Sequence, residues 1–213
     1  MFQDFQQLSF QVHQALTAQG VKVVAGHVQQ ILCAHLGYNS LAAMQAAAQV
    51  EKPGVAGADF IICDLPLAVT RANSLGLPEA VAAAVYASLK QLAEGQAAVF
   101  ASEAEFVDEE VHHEVTMGLE LTNALSGPMA MTNAYGPGWV DVDFDDETAG
   151  LDDGDGAWSI GMSGTLSLDQ DPDKVFWGSK IAFEGEIEYQ RAGRRLLLAD
   201  PRITADGRVS DFY

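Results

Sequence analysis

An α+β fold is predicted for this chain: a helical N-terminal half followed by a mainly antiparallel β C-terminal part. Three observations predict it. Apolar residues recur at spacings of 3 and 4 up to Leu125. They alternate at period two in several segments after Trp139. Helices come first and strands last, which is the order of an α+β chain and not of alternating βαβ units.

The helical elements come in this order. Phe5, Leu8, Val12 and Leu16 share one stripe and predict a helix over 4–18, stopped by Gly20. Val28, Ile31, Leu32, His35 and Leu36 predict a second over 27–36, with Gly37 as its C-terminal stop. Asn39 or Ser40 caps a third, whose Leu41, Met44 and Ala48 face inward. Lys52-Pro53-Gly54 closes this unit, so residues 1–52 read as a small helical module and 53–213 as an α+β domain. Residues 58–64 form a short apolar run that fits a buried strand or a helical turn. Pro66 and Pro78 each open a helix, the second carrying Val81, Val85, Leu89 and Leu92 and ending at Gly95. Ser102-Glu103-Ala104-Glu105 is a capping-box pattern. It predicts one helix carrying Val107, Val111, Val115, Leu119, Thr122 and Leu125 inward, with helices thus spanning about 66–125, until Gly127-Pro128 breaks it.

The β-rich part covers 139–213. Val140, Val142 and Phe144 alternate with Asp141, Asp143 and Asp145. Trp158, Ile160 and Met162 keep the same parity as Leu166 and Leu168, and Ile181, Phe183, Ile187 and Tyr189 repeat the pattern. Residues 145–156 read as an acidic, Gly-rich loop. Arg191-Ala192-Gly193-Arg194 predicts a hairpin tip at the surface, and Asp206-Gly207 a second turn.

Charge narrows the function classes. The formal net charge is −19, and no Lys or Arg occurs between Lys90 and Lys174, a stretch of 83 residues holding 19 Asp or Glu. Such a field repels nucleic acid and anionic lipid, and attracts cationic partners or metal ions. The hydrophobic fraction of 48% exceeds what a disordered acidic tail would show. The chain begins Met1-Phe2-Gln3-Asp4, without a basic leader, and its longest apolar run, 80–87, is too short to span a bilayer. A cytoplasmic protein is expected. Cys33 and Cys63 are expected to be reduced thiols, with a disulfide as the alternative.

Residues about 12–50 carry a resemblance. The stretch from Gly26-His27-Val28 through Leu36-Gly37-Tyr38-Asn39-Ser40 to Ala46 resembles the small helical glyoxalase-related domain of bacterial proteins. His27, Leu36, Gly37 and Tyr38 carry the likeness, while Leu41 stands where that family usually has an aromatic. The resemblance implies a helical accessory module and no activity of its own. His27 would be its characteristic polar residue, acting as a cap or core hydrogen bond.

Two constellations are candidates for chemistry. Glu110-x-x-His113 has the spacing of carboxylate-bridged di-iron bundles, and Glu109 or Glu110 shares a helix face with His113. No copy of the motif occurs outside this segment, where a facing helix would have to supply it, so a solvated helix face is the plain reading. Asp169-x-Asp171-x-Asp173 has the first three positions of a calcium loop, but Lys180 stands where its bidentate Glu belongs. No nucleophile elbow, dinucleotide fingerprint or phosphate loop is present.

The leading expectation is a non-catalytic acidic protein of the immunity, antitoxin or nucleic-acid-mimic kind. It would dock a basic protein partner through Asp141, Asp143, Asp145, Asp146 and Glu147, with Trp139 and Trp158 as aromatic anchors. It needs no cofactor, no direct nucleic acid and no membrane. Two alternatives stand beside it: an enzyme using a divalent metal at Glu110 and His113, and a structural or regulatory subunit of a homo-oligomer joined through the N-terminal helices.

Overall fold

The computed structural model describes residues 4–47, 54–117, 120–145, 151, 156–175 and 178–210. The fold is α+β. It divides into two compact units. The first comprises Met1–Phe106, Leu151–Gly156 and Gln190–Ala199; the second comprises Val107–Gly150, Ala157–Tyr189 and Asp200–Tyr213.

The first unit is built on helices α1 (Phe5–Ala18), α2 (Ala25–His35) and α3 (Leu41–Ala47). Asp4 caps α1 by accepting from Gln7 N–H at 2.8 Å, and Ser40 caps α3 by accepting from Ala43 N–H at 3.0 Å. Helix α2 ends in a Schellman motif. Tyr38 N–H donates to Cys33 C=O and Gly37 N–H to Ala34 C=O, both at 2.9 Å, with Gly37 at φ +79°. Strand β1 (Phe60–Ile62) leads through α4 (Leu65–Ser74) and α5 (Glu79–Ala93) into β2 (Ala98–Phe100), which pairs with β1 in parallel. Leu8, Leu16, Ile31, Ile61 and Leu89 are fully buried in one core. Each such side chain contributes roughly 1.5–3 kcal/mol relative to exposure.

The region after Ser102 departs from the single expected helix. It is segmented into α6 (Glu103–Phe106), a π-helical turn (Val107–Val111), α7 (His112–Met117), α8 (Glu120–Ala124) and α9 (Ser126–Ala130). The buried positions run Phe106, Val111, Val115. The first interval is five, the repeat of a π turn, and so Phe106 is buried in place of Val107. Ser102 Oγ accepts from Glu105 N–H at 3.1 Å as the capping box requires, but the Glu105 carboxylate reaches back to Ala101 N–H and not to Ser102. Gly127-Pro128 does not end the helical region. Both lie in the first turn of α9, where the missing Pro128 N–H has no intrahelical partner to lose.

The second unit carries strands β3 (Ala134–Phe144), β4 (Ala157–Gln170) and β7 (Arg202–Val209) and, as far as Tyr189, β5 (Lys180–Gly193), in the order β3-β4-β5-β7. The short β6 (Leu196–Leu197) belongs to the first unit, where it pairs with β1. Strands β3 and β4 are antiparallel, as are β5 and β7. β3 begins five residues earlier than expected. Its Gly136-Pro137-Gly138 carries two register shifts, which let Tyr135 oppose Asp169 and Trp139 oppose Ser167. Asp206-Gly207 is not a turn but lies inside β7, opposite Glu184 and Phe183. A Cβ at Gly207 would come within 2.8 Å of Ile181 and Leu125, so glycine there serves close packing. The turn before β7 uses Asp200 instead, at φ +67° ahead of Pro201.

Candidate functional site

The sheet of the second unit has two unlike faces. Its inner face is apolar: Trp158 is 1% exposed, and Met162, Leu166, Ile181, Phe183 and Tyr189 are also buried. Leu125 packs onto that face beside Gly207. The outer face is polar and open. On β3 it presents Trp139, Asp141 and Asp143, followed by Asp145 just past the strand, all exposed. On β4 it presents Ser159, Gly161, Ser163, Thr165, Ser167 and Asp169, and on β5 Glu184, Glu186 and Glu188.

Register brings the acids and the small residues together. Asp141 opposes Thr165 and Asp143 opposes Ser163. Asp145 N–H donates to Gly161 C=O at 3.0 Å, and the Asp145 carboxylate lies over Gly161, in the space a Cβ would need. The β3/β4 half of this face holds carboxylates and hydroxyls without a cation. The β5/β7 half is mixed: Arg202 opposes Glu188, Arg208 opposes Ala182, and Glu184 opposes Asp206. A hollow of about 330 Å³ lies there between Ala182, Glu184, Asp206 and Arg208.

The expected contact residues are therefore distributed unevenly. Asp141, Asp143, Asp145 and Trp139 share one open face, with Trp139 70% exposed. Asp146 and Glu147 lie outside the described residues. Trp158 is no surface anchor. Its parity turns it inward, where its ring centroid lies 5.9 Å from that of Tyr189. Unforeseen from the sequence were Tyr135, 57% exposed on the same face, and the hydroxyl row of β4. The signal for that row was present in the odd positions from Ser159 to Ser167, between the apolar even ones.

Glu110 lies in the π turn, half-buried, and His113 in α7, exposed. Burial pushes the Glu110 carboxyl up, Glu114 adds to this, and His113 partly offsets it. Among the described residues no group of three or more His, Cys, Asp and Glu side chains converges to hold a metal ion. Asp171 is engaged locally: its carboxylate accepts from Asp173 N–H at 3.0 Å and pairs with Lys174 at 3.1 Å. These two contacts, in that order, hold its carboxyl below the usual range.

The arginine cluster does not form a surface tip. Arg194 spans the end of α2, donating to Gly37 C=O at 2.8 Å with its guanidinium 5.6 Å from the Tyr38 ring centroid. Arg195 is buried and lies 3.4 Å from the Asp64 carboxylate, which also caps α4 through Leu67 N–H at 2.8 Å. Arg191 donates to Leu151 C=O and, at 3.1 Å, to Arg194 C=O. The cluster is a set of internal ties because helix and strand ends there leave carbonyl groups to satisfy. Cys33 and Cys63 are free and buried, and burial pushes both thiols up to about 12.

No family model, no curated protein and no solved structure matches this chain. Among the described residues no helix is long and apolar enough to cross a membrane.

Proposed function

We propose that this protein is a non-catalytic binding protein that docks a basic protein partner through the outer face of β3 and β4. The observation that carries the reading is the row of exposed Asp141, Asp143 and Asp145 beside exposed Trp139, on a face floored by small hydroxyl residues. Carboxylates held about 7 Å apart along a strand repel one another, and a cationic surface relieves that repulsion. Trp139 and Tyr135 supply rigid aromatic area of the kind that anchors interfaces. Bound in this way, the protein would occlude the partner's cationic groove, as immunity proteins, antitoxins and nucleic-acid mimics do. Residues about 12–50 would serve as the glyoxalase-related accessory module. The test is capture of a partner at low salt by the wild type and by the D141K/D143K/D145K variant. Release by salt and loss in the variant support the reading; equal binding by the two proteins refutes it.

A further inference from the structure

We infer that the occupant is an extended segment of the basic partner that adds as a strand to the free edge of β3, with basic and apolar residues alternating along it. This rests on the docking reading above and names its geometry. Three features converge on β3. Among the described residues it pairs only with β4, so its second edge is an unused row of backbone donors and acceptors. Pro137 lies within it, which is compatible with an edge strand and not with a central one.

The second feature concerns the inner row. Val140, Val142 and Phe144 are only half-buried, whereas the inner residues of β4 and β5, such as Ile160 at 3% and Ile181 at 0%, are closed off. Apolar side chains are thus left partly uncovered along β3. His112 of α7 meets Phe144 edge-on at 6.3 Å without closing it. The third feature is the outer row, where Trp139, Asp141 and Asp143 recur at every second residue. A paired strand presents its own side chains at the same spacing. Its outward residues would therefore meet carboxylates and the Trp139 ring, which selects Arg or Lys, and its inward residues would cover Val140, Val142 and Phe144. A second copy pairing through its own β3 would set Asp against Asp, which is unfavourable.

The test uses capped peptides and the intact protein. The probe is Arg-Val-Arg-Val-Arg-Val-Arg. Its comparators are a block isomer with all Arg before all Val, and two backbone N-methylated forms, one methylated at Arg and one at Val. Strand addition predicts at least tenfold weaker binding of the block isomer and of one N-methylated form. It also predicts slowed amide exchange within 139–144. If all four peptides bind alike but D141K/D143K/D145K abolishes binding, strand addition is wrong and acidic docking stands. If no peptide binds at low salt and the charge-reversed protein still captures a partner, both readings fail. If β3 is found occupied by a second copy, shown by a dimer that V142K converts to monomer, the inferred occupant is wrong.

Discussion

Asp143 on β3 stands directly opposite Ser163 on β4, and both side chains are exposed. Their neighbours along each strand, Val142 and Met162, point to the other face. That one register relation places the acids on the open side of the sheet and the apolar residues on the covered side.

The two tryptophans of this sheet should behave in opposite ways. Trp158→Ala empties a fully buried site beside Tyr189 and is expected to cost about 3–5 kcal/mol. Trp139→Ala removes an exposed ring and should change stability by less than about 0.5 kcal/mol while weakening partner binding. Urea unfolding of both variants checks the first half of this contrast, and affinity of the second variant checks the rest.

Glycines in the chain differ in what surrounds them. A Cβ at Gly164 would lie 2.1 Å from the Asp141 carbonyl oxygen and 3.0 Å from Phe183, so Gly164→Ala must distort the β3/β4 ladder. A loss on the order of 1–3 kcal/mol is expected. Gly127 in α9 has open space and an ordinary φ, so Gly127→Ala should be neutral or stabilising by up to about 1 kcal/mol. Thermal or urea midpoints of the pair decide this, and equal effects would contradict the packing described.

Asp64 has two duties that substitution can separate. It caps α4 and pairs with the buried Arg195. Asp64→Asn retains a capping oxygen but removes the charge, whereas Asp64→Ala removes both. The alanine variant should lose about 0.5–2 kcal/mol more than the asparagine variant, the usual worth of a cap. A double-mutant cycle with Arg195→Met then isolates the ion pair. Absence of coupling in that cycle would show that the pair is only a near approach.

His35 makes stability depend on pH. Burial lowers its pKa from 6.5 to about 4, against smaller opposing effects of its bond to Ala82 C=O and of Asp64. The unfolded chain therefore binds this proton more readily than the folded one. The contribution is fully present above pH 6.5 and is lost as pH falls through 6.5 toward 4. It is on the order of 3 kcal/mol over that window. His35→Gln unfolding measured at pH 7.5 and pH 5 should show less pH dependence than the wild type, and an unchanged slope would contradict the assignment.

Both thiols should be silent in the folded state. Cys33 and Cys63 are buried with raised pKa values, so few thiolates form at neutral pH. Alkylation at pH 8 is expected only after denaturant is added. Rapid labelling of the native protein would contradict their placement.

Much of the architecture was legible because burial follows periodicity. The even positions from Trp158 to Leu168 and the odd ones from Ile181 to Tyr189 marked the inner face correctly. Gly37, Ser40, Pro66 and Pro78 marked helix ends through chemistry that acts locally. The elements that escaped depend on partners distant in sequence. Asp206-Gly207 has the composition of a turn, but Gly207 is small because Ile181 and Leu125 press on it. Arg194 and Arg195 have the composition of a solvated tip, yet Gly37 and Asp64 draw them inward. The π turn shifted burial from Val107 to Phe106, which no fixed helical period reveals. At the outer face the acids and Trp139 were legible from alternation. Trp158 shares the parity of Ile160 and Met162, so the same alternation that marks its strand turns its ring into the core and removes it as an anchor.

Docking through the outer face of β3 and β4 is tested most directly by the association rate of the captured basic partner with wild-type protein and with D141K/D143K/D145K, across a salt series. The wild-type rate should fall steeply with ionic strength, and the rate at low salt should be at least about tenfold lower in the variant. A variant that associates as fast as the wild type, with the same salt dependence, would contradict it.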